Sequence, residues 1–163
     1  MYKSEKNFLE RIADTIPGFK GYREKESRRD TDKRLRDYMA SEVDRHRKAI
    51  DGFKRDQMKR GGLGLLDDAD RVARKLQKCA DQLRFASYGY AGFFDQVKVR
   101  EEELDQIYQY DGELLEQVRA LEATVNALSG ASDPEKALNG LEAAVEALDG
   151  SVERRKQLFQ TPA

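Results

Sequence analysis

The sequence predicts an all-helical protein, an antiparallel helical bundle or coiled coil of about four long helices preceded by a short N-terminal helix. Apolar residues recur at alternating intervals of three and four in three separate stretches, almost without glycine or proline inside them. Such spacing gives a helix a narrow apolar stripe, and each stripe has to pack against another helix. The stripes are Ala69, Val72, Leu76, Cys79 and Leu83; Leu104, Ile107, Leu114, Val118, Leu121, Val125 and Leu128; and Leu138, Leu141, Val145, Leu148, Val152 and Phe159.

Length and composition favour the same fold class. The chain has 163 residues, with 37% charged residues beside 39% apolar ones, and it has no tryptophan. Long solvated helices with thin apolar stripes have this balance. The length fits one domain over residues 1–163, with a short helix and turn in residues 1–22 and the bundle in residues 23–163.

The N-terminal region reads as a short amphipathic helix over residues 2–15. Pro17 ends this helix, because proline disfavours helical geometry at the residue before it. Residues 17–22 then form a turn that carries two aromatic side chains, Phe19 and Tyr22.

A long helix is predicted over about residues 23–59. Its first part, residues 23–34, contains no apolar residue. We therefore expect this part either to project into solvent or to meet a partner, supported by charge pairs such as Asp30 with Arg34.

Two unusual stretches separate the helices that follow. Residues 61–64 (GGLG) are interpreted as a connector to the next helix, which covers about residues 65–86. Residues 87–99 contain two glycines and four aromatics within seven residues, and they form either a folded connector or a continuous helix. The acidic run over residues 101–103 favours a new helix starting near Arg100, because carboxylates stabilise the first turn.

The last two helices carry one irregularity. The helix from Arg100 to about Leu128 has Asp111 on its stripe and Gly112 next to it, which indicates either a polar layer that fixes register or a local bend. Asp133 then caps a final helix that ends near Phe159. Short loops make consecutive helices antiparallel neighbours.

Charge is distributed unevenly along a chain whose net charge is −1. Residues 1–60 hold 18 Lys/Arg against 12 Asp/Glu, whereas residues 61–163 hold 12 against 19. The two halves should attract, either as complementary helix faces of one bundle or with the basic half as a docking surface. Complementary faces are favoured, because interspersed charges usually form a solvated face.

The sequence singles out no catalytic, cofactor-binding or metal-binding residue. His46 is the only histidine and Cys79 the only cysteine, so a multi-histidine metal site and a disulfide framework are both excluded. We expect His46 at the edge of the apolar stripe or on the surface, and Cys79 in the core. The absence of a signal-peptide pattern and of a long apolar run predicts a cytoplasmic protein.

Two segments resemble those of an uncharacterised bacterial all-helical protein family. They are residues 16–26 (IPGFKGYREKE) and residues 88–95 (YGYAGFFD), and with their flanking helices the likeness covers most of residues 10–118. The resemblance implies a bacterial helical protein and no particular activity. Residues 133–136 are also similar to the corresponding start in phage-shock-type membrane-remodelling coiled coils.

The predicted function is that of a non-enzymatic scaffold or protein–protein interaction module, with another protein or a second copy of the chain as partner. The alternative is a peripheral membrane or envelope-stress protein, weakly attached to a membrane surface through residues 1–22. An enzyme or metal protein built on core carboxylates is a third hypothesis, and nucleic acid is not an expected partner because acidic residues interrupt the basic runs. The candidate partner-contact residues are Phe19, Tyr22, Arg28, Arg29, Tyr88, Tyr90, Phe93 and Phe94.

Overall fold

The computed structural model describes residues 12, 15–19, 28–86 and 100–159. Four long helices and one short 3-10 turn, but no strand, occur in these residues, which confirms the predicted all-helical bundle. The predicted helix over residues 2–15, apart from residues 12 and 15, and the predicted connector at 87–99 lie outside them. The helices are α1 (Arg28–Lys59), α2 (Leu66–Arg84), α3 (Glu101–Asn126) and α4 (Pro134–Leu158), and the 3-10 turn is Leu63–Leu65.

The core lies where the apolar spacing predicts it. Every residue of the three predicted stripes is buried, and these stripes belong to α2, α3 and α4. Helix α1 adds its own inner face, so that all four helices contribute to one hydrophobic cluster. The residues that α1 contributes include Leu35, Met39, Val43, Ile50 and Phe53.

Helices α2 and α4 lie side by side and run in the same direction. A constant offset of 71 residues relates the polar side chains that pair across them, and only parallel helices in fixed register give a constant offset. The pairs are Arg71–Glu142 at 3.0 Å, Lys75–Glu146, Lys78–Asp149 at 3.0 Å and Gln82–Glu153 at 3.2 Å.

The four helices form a ring in the order α1, α2, α4, α3. Helices α1 and α2 are antiparallel, as are α3 and α4, and each pair follows from a short connection as predicted. Because α2 and α4 are parallel, α1 and α3 are parallel neighbours as well, and α2 and α3 lie on a diagonal. This corrects the prediction that all consecutive helices are antiparallel neighbours, which holds for α1 with α2 and for α3 with α4 but not for α2 with α3.

Two ends of the bundle can therefore be distinguished. We call the end where α1 and α3 begin and where α2 and α4 end the layer end, after the charged layer described below. The opposite end, which holds residues 60–65 and the loop from α3 to α4, is called the connector end. Residues 20–27 and 87–99 join the described chain at the layer end.

Local signals fix where α3 and α4 begin. Arg100 precedes α3, and its backbone N–H donates to the Glu103 carboxylate at 3.0 Å, which confirms the predicted start. Asp133 caps α4 by accepting the Lys136 N–H at 3.1 Å, with Pro134 as the first helical residue. These caps satisfy N–H groups that have no partner within the helix.

The described N-terminal residues pack against the bundle. Ile12 and Ile16 are buried in the common core, and the Ile16 N–H donates to the Ile12 carbonyl at 2.9 Å. Gly18 has a φ of 77°, and the Pro17 carbonyl accepts a hydrogen bond from Arg34 of α1 at 3.0 Å. Residues 15–19 therefore form a turn against the start of α1, and residues 17–19 are the described part of the turn predicted over residues 17–22.

The backbone geometry of the connector between α1 and α2 can be tested by substituting two of its glycines. Gly61 has a φ of 74°, which a side chain disfavours, whereas Gly64 does not have a positive φ. A Cβ at either position meets no atom within 4 Å. We expect Gly61→Ala to lower the free energy of unfolding by about 1 kcal/mol through backbone strain alone.

The matched control is Gly64→Ala, which should leave the free energy of unfolding unchanged or raise it by up to about 1 kcal/mol through the unfolded state. Urea denaturation followed by circular dichroism measures both variants. Equal effects of the two substitutions would contradict a strained turn at Gly61.

Candidate functional site at the layer end

Four charged side chains form a layer inside the bundle near one end. Asp32 and Arg36 come from α1, Asp111 from α3 and Arg155 from α4. None of the four is more than 2% exposed. Buried charges are stable only when they are paired, so each of these four side chains depends on the others.

Arg155 stands at the centre of this charged layer. Its Nε donates to Asp111 Oδ1 at 2.7 Å, and its Nη2 donates to Asp32 Oδ1 at 2.6 Å and to Asp111 Oδ2 at 3.2 Å. The guanidinium also lies over the Phe159 ring, 4.7 Å from its centroid. One side chain of α4 thus holds carboxylates from both α1 and α3.

Arg36 extends the charged layer to the remaining helix. Its Nε donates to Asp32 Oδ2 at 2.7 Å, and its Nη1 donates to the carbonyls of Leu83 and Arg84 at 2.7 and 3.1 Å. These carbonyls belong to the last turn of α2, where the negative end of the helix dipole stabilises a cation. Two cations and two carboxylates therefore connect all four helices.

The charged layer corrects the prediction for residues 23–34. In the described part, residues 28–34, the helix packs into the bundle instead of projecting into solvent or needing a partner to cover it. Its inner side chains Arg28, Thr31 and Asp32 are buried. Paired charges make this burial possible without any apolar residue. The predicted pair of Asp30 with Arg34 does form on the outer face, at 2.7 Å.

The sequence contained the signal for part of this layer. Asp111 was interpreted either as part of a polar layer or as a bend, and α3 runs unbroken through it with the carboxylate in the layer. Arg155 was missed, although it continues the stripe of α4 at spacings of three from Val152 and four to Phe159. A charged residue at a stripe position is the signal that would have found it.

The predicted partner-contact residues that the structure describes are near the layer end. Phe19 is half-buried and packs against the core, and Arg29 is exposed, whereas Arg28 is buried and offers little surface. The contact between Arg34 and Pro17 brings the turn of Phe19 to the start of α1. The other candidates lie outside the described residues: Tyr22, Tyr88, Tyr90, Phe93 and Phe94.

Two exposed apolar side chains at this end were not predicted. Phe85, directly after α2, is 70% exposed, and Leu158, at the end of α4, is 41% exposed. Both follow the Gln82–Glu153 contact, beyond which these parallel helices end together. Neither residue lies on an apolar stripe, so the stripe pattern gave no reason to bury them.

His46 is an inner residue, which corrects its predicted place at the stripe edge or surface. Its side chain is 3% exposed, and its Nε2 donates to the Val118 carbonyl of α3 at 3.0 Å. Burial lowers the pKa of His46 below its usual 6.5, more strongly than the Val118 hydrogen bond raises it. The ring serves as a neutral link between α1 and α3.

Cys79 is a core residue, as predicted. Burial, aided by the Asp149 carboxylate, raises the pKa of its thiol to about 12. Its Sγ lies 3.8 Å from Asp149 Oδ1, to which it donates. At neutral pH the sulfur is therefore a thiol and not a nucleophilic thiolate.

Neither the described residues nor comparison with known proteins identifies a chemistry for this chain. Within the described ranges, no three His, Cys, Asp or Glu side chains group in a way that would hold a metal ion. None of the described helices has the length and apolar character needed to span a bilayer. No protein-family model, curated protein or solved structure matches the chain.

The role of Arg155 in the layer is testable by removing its charge. Arg155→Met keeps an unbranched apolar stem but leaves the Asp32 and Asp111 carboxylates without their shared cation. We expect a loss of about 3–5 kcal/mol in the free energy of unfolding, because the carboxylates stay buried. Chemical denaturation of the wild type and the variant at one pH measures the loss.

Lys156→Met is the matched control, since it makes the same kind of change on the exposed face of the same helix turn. It should alter the free energy of unfolding by no more than about 0.5 kcal/mol. A similar cost for both variants would mean that the layer adds nothing beyond helix propensity.

His46 should make the stability depend on pH in a defined direction. Because its pKa is lowered in the folded state, the unfolded chain binds a proton first as the pH falls. Stability is therefore complete above about pH 6.5 and decreases as the pH falls below it. Wild-type unfolding between pH 7 and pH 5 should show this loss.

His46→Gln supplies the comparison, because the amide retains a donor for the Val118 carbonyl and does not titrate in this range. The difference between wild type and variant isolates the imidazole from the carboxylates that also titrate in acid. Parallel pH profiles for the two proteins would refute a neutral buried ring.

Proposed function

We propose that the protein is a non-enzymatic helical scaffold that docks a protein partner at the layer end of its bundle. The observation that carries this proposal is the exposure of two large apolar side chains, Phe85 and Leu158, where α2 and α4 end together. Aromatic residues are enriched in protein interfaces, and the fully buried core of an interface patch is more apolar than the rest of the surface.

A rigid platform supports docking at this end. The charged layer fixes the relative positions of all four helices near the layer end. A surface that is ordered before binding loses little entropy when a partner arrives. Phe19, one of the residues predicted to make contact, also lies near this end, because Arg34 of α1 holds the neighbouring Pro17 carbonyl.

Exposed polar side chains surround Leu158, as they do in the rim of a protein interface. Glu153, Arg154, Lys156 and Gln157 are exposed around Leu158 on α4. Polar residues around an apolar centre are the usual arrangement of transient protein interfaces. The partner expected is therefore a protein with an apolar contact surface bordered by polar groups.

The state of the described ionisable groups supports a non-enzymatic role. The layer carboxylates are held by guanidinium groups, His46 is bound to a backbone carbonyl, and Cys79 is a protonated core thiol. Each of these groups serves packing. The alternative, a membrane anchor in residues 1–22, is disfavoured at Ile12 and Ile16, whose side chains are buried in the bundle core.

Photo-crosslinking in the native cell tests the proposal. A photoreactive phenylalanine at position 85 should give one crosslinked protein of defined mass, whereas the same group at Met58, at the connector end, should not. Both positions are exposed, so incorporation should leave the fold intact.

A second comparison uses substitutions at exposed positions. The double variant Phe85→Ser with Leu158→Ser should abolish the crosslink from an undisturbed site at position 29, whereas Met58→Ser with Leu63→Ser should retain it. Tyr90→Ala and Phe94→Ala extend the test to residues 88–94. Unchanged crosslinking by the first double variant, with an unchanged melting temperature, would reject docking at the layer end.

A further inference from the structure

Four exposed cations lie in the second half of α1 and directly after it. Lys48, Arg55, Lys59 and Arg60 are exposed, and among the described residues none of them forms an ion pair. Across the α2–α4 contact, by contrast, Arg71 and Lys78 are paired with carboxylates. The four cations of α1 and its connector therefore add positive charge that no ion pair among the described residues compensates.

Helical geometry places three of these cations on one line. Lys48, Arg55 and Lys59 are separated by seven and four residues, so they share the outer face of α1, opposite the buried His46 and Ile50. The line is about 16 Å long at 1.5 Å per residue.

Two apolar side chains protrude next to this cationic line at the connector end. Met58 is 60% exposed and Leu63, in the 3-10 turn, is 63% exposed. The connector is open at Gly61 and Gly64, since no atom lies within 4 Å of a Cβ placed on either glycine. The tip of the bundle therefore combines basic side chains with protruding apolar ones.

We propose that this surface, formed by residues 48–60 of α1 and the connector at 61–65, binds anionic phospholipid bilayers. Lysine and arginine at a lipid surface pair with phosphate groups, and neighbouring apolar side chains enter the boundary between headgroups and acyl chains. A nucleic acid would use the cations but would give no reason for Met58 and Leu63 to protrude.

Nearby carboxylates reduce the positive charge without cancelling it. Asp51 is paired with Lys54, and Asp68 with Arg71, whereas Asp56 and Asp67 are exposed and form no ion pair among the described residues. Asp133, the acidic residue of the loop before α4, belongs to the helix diagonal to α1. Binding should therefore be modest and sensitive to salt.

This surface is at the opposite end of the bundle from the proposed protein-docking site. The two proposals rest on different residues and can fail separately. If both hold, the bundle connects a protein at the layer end to a lipid surface at the connector end.

Vesicle flotation of the full chain tests the proposal. We expect the protein to float with vesicles of phosphatidylcholine mixed with phosphatidylglycerol, but not with phosphatidylcholine alone, and to be released by high salt. The triple variant K48Q/R55Q/K59Q should weaken partitioning about a hundredfold, since each cation contributes about a fivefold effect near an anionic surface. Met58→Ser with Leu63→Ser should also weaken it.

The matched control, K136Q/R154Q/K156Q, removes the same charge from exposed positions of α4 and should retain flotation. The proposal is overturned if the wild type does not float, if it floats equally with neutral vesicles, or if both triple variants lose flotation equally. Unchanged flotation of K48Q/R55Q/K59Q overturns it too, in favour of an anchor elsewhere such as residues 1–22. Retention on a polyanion resin without vesicle binding would replace lipid by another anionic partner.

Discussion

The buried guanidinium of Arg155 is the constraint that the rest of the bundle has to satisfy. It holds Asp32 of α1 and Asp111 of α3, while Arg36 links Asp32 to the last carbonyls of α2. Apolar stripes can slide along one another by a turn at moderate cost, but buried charges cannot leave their partners. The layer therefore fixes all four helices along the bundle axis at one end.

A second set of polar contacts acts on the outside of the same bundle. The pairs between α2 and α4 keep a constant offset, and each is exposed enough to contribute little to stability by itself. Their common spacing nonetheless favours one parallel register over its neighbours. The outer pairs and the inner layer thus favour the same alignment of the helices. A sequence specifies one fold when its separate interactions favour the same structure in this way.

The two ends of the bundle expose different side chains. The layer end holds four buried, paired charges and exposes Phe85 and Leu158, the residues of the proposed protein-docking site. The connector end exposes Lys59 and Arg60 beside Met58 and Leu63, which belong to the proposed lipid-binding surface. His46 and Cys79 lie between the ends and serve packing.

Apolar spacing and capping residues such as Asp133 are local signals, so they predicted which of the described segments are helical and which faces of α2, α3 and α4 are buried. The arrangement of the helices is not encoded locally, since any apolar stripe can pack on any other. Arg155 and Asp32 are separated by 123 residues in the sequence, so no local pattern predicts their pairing. The same reason explains His46, whose burial depends on the Val118 carbonyl that the fold supplies.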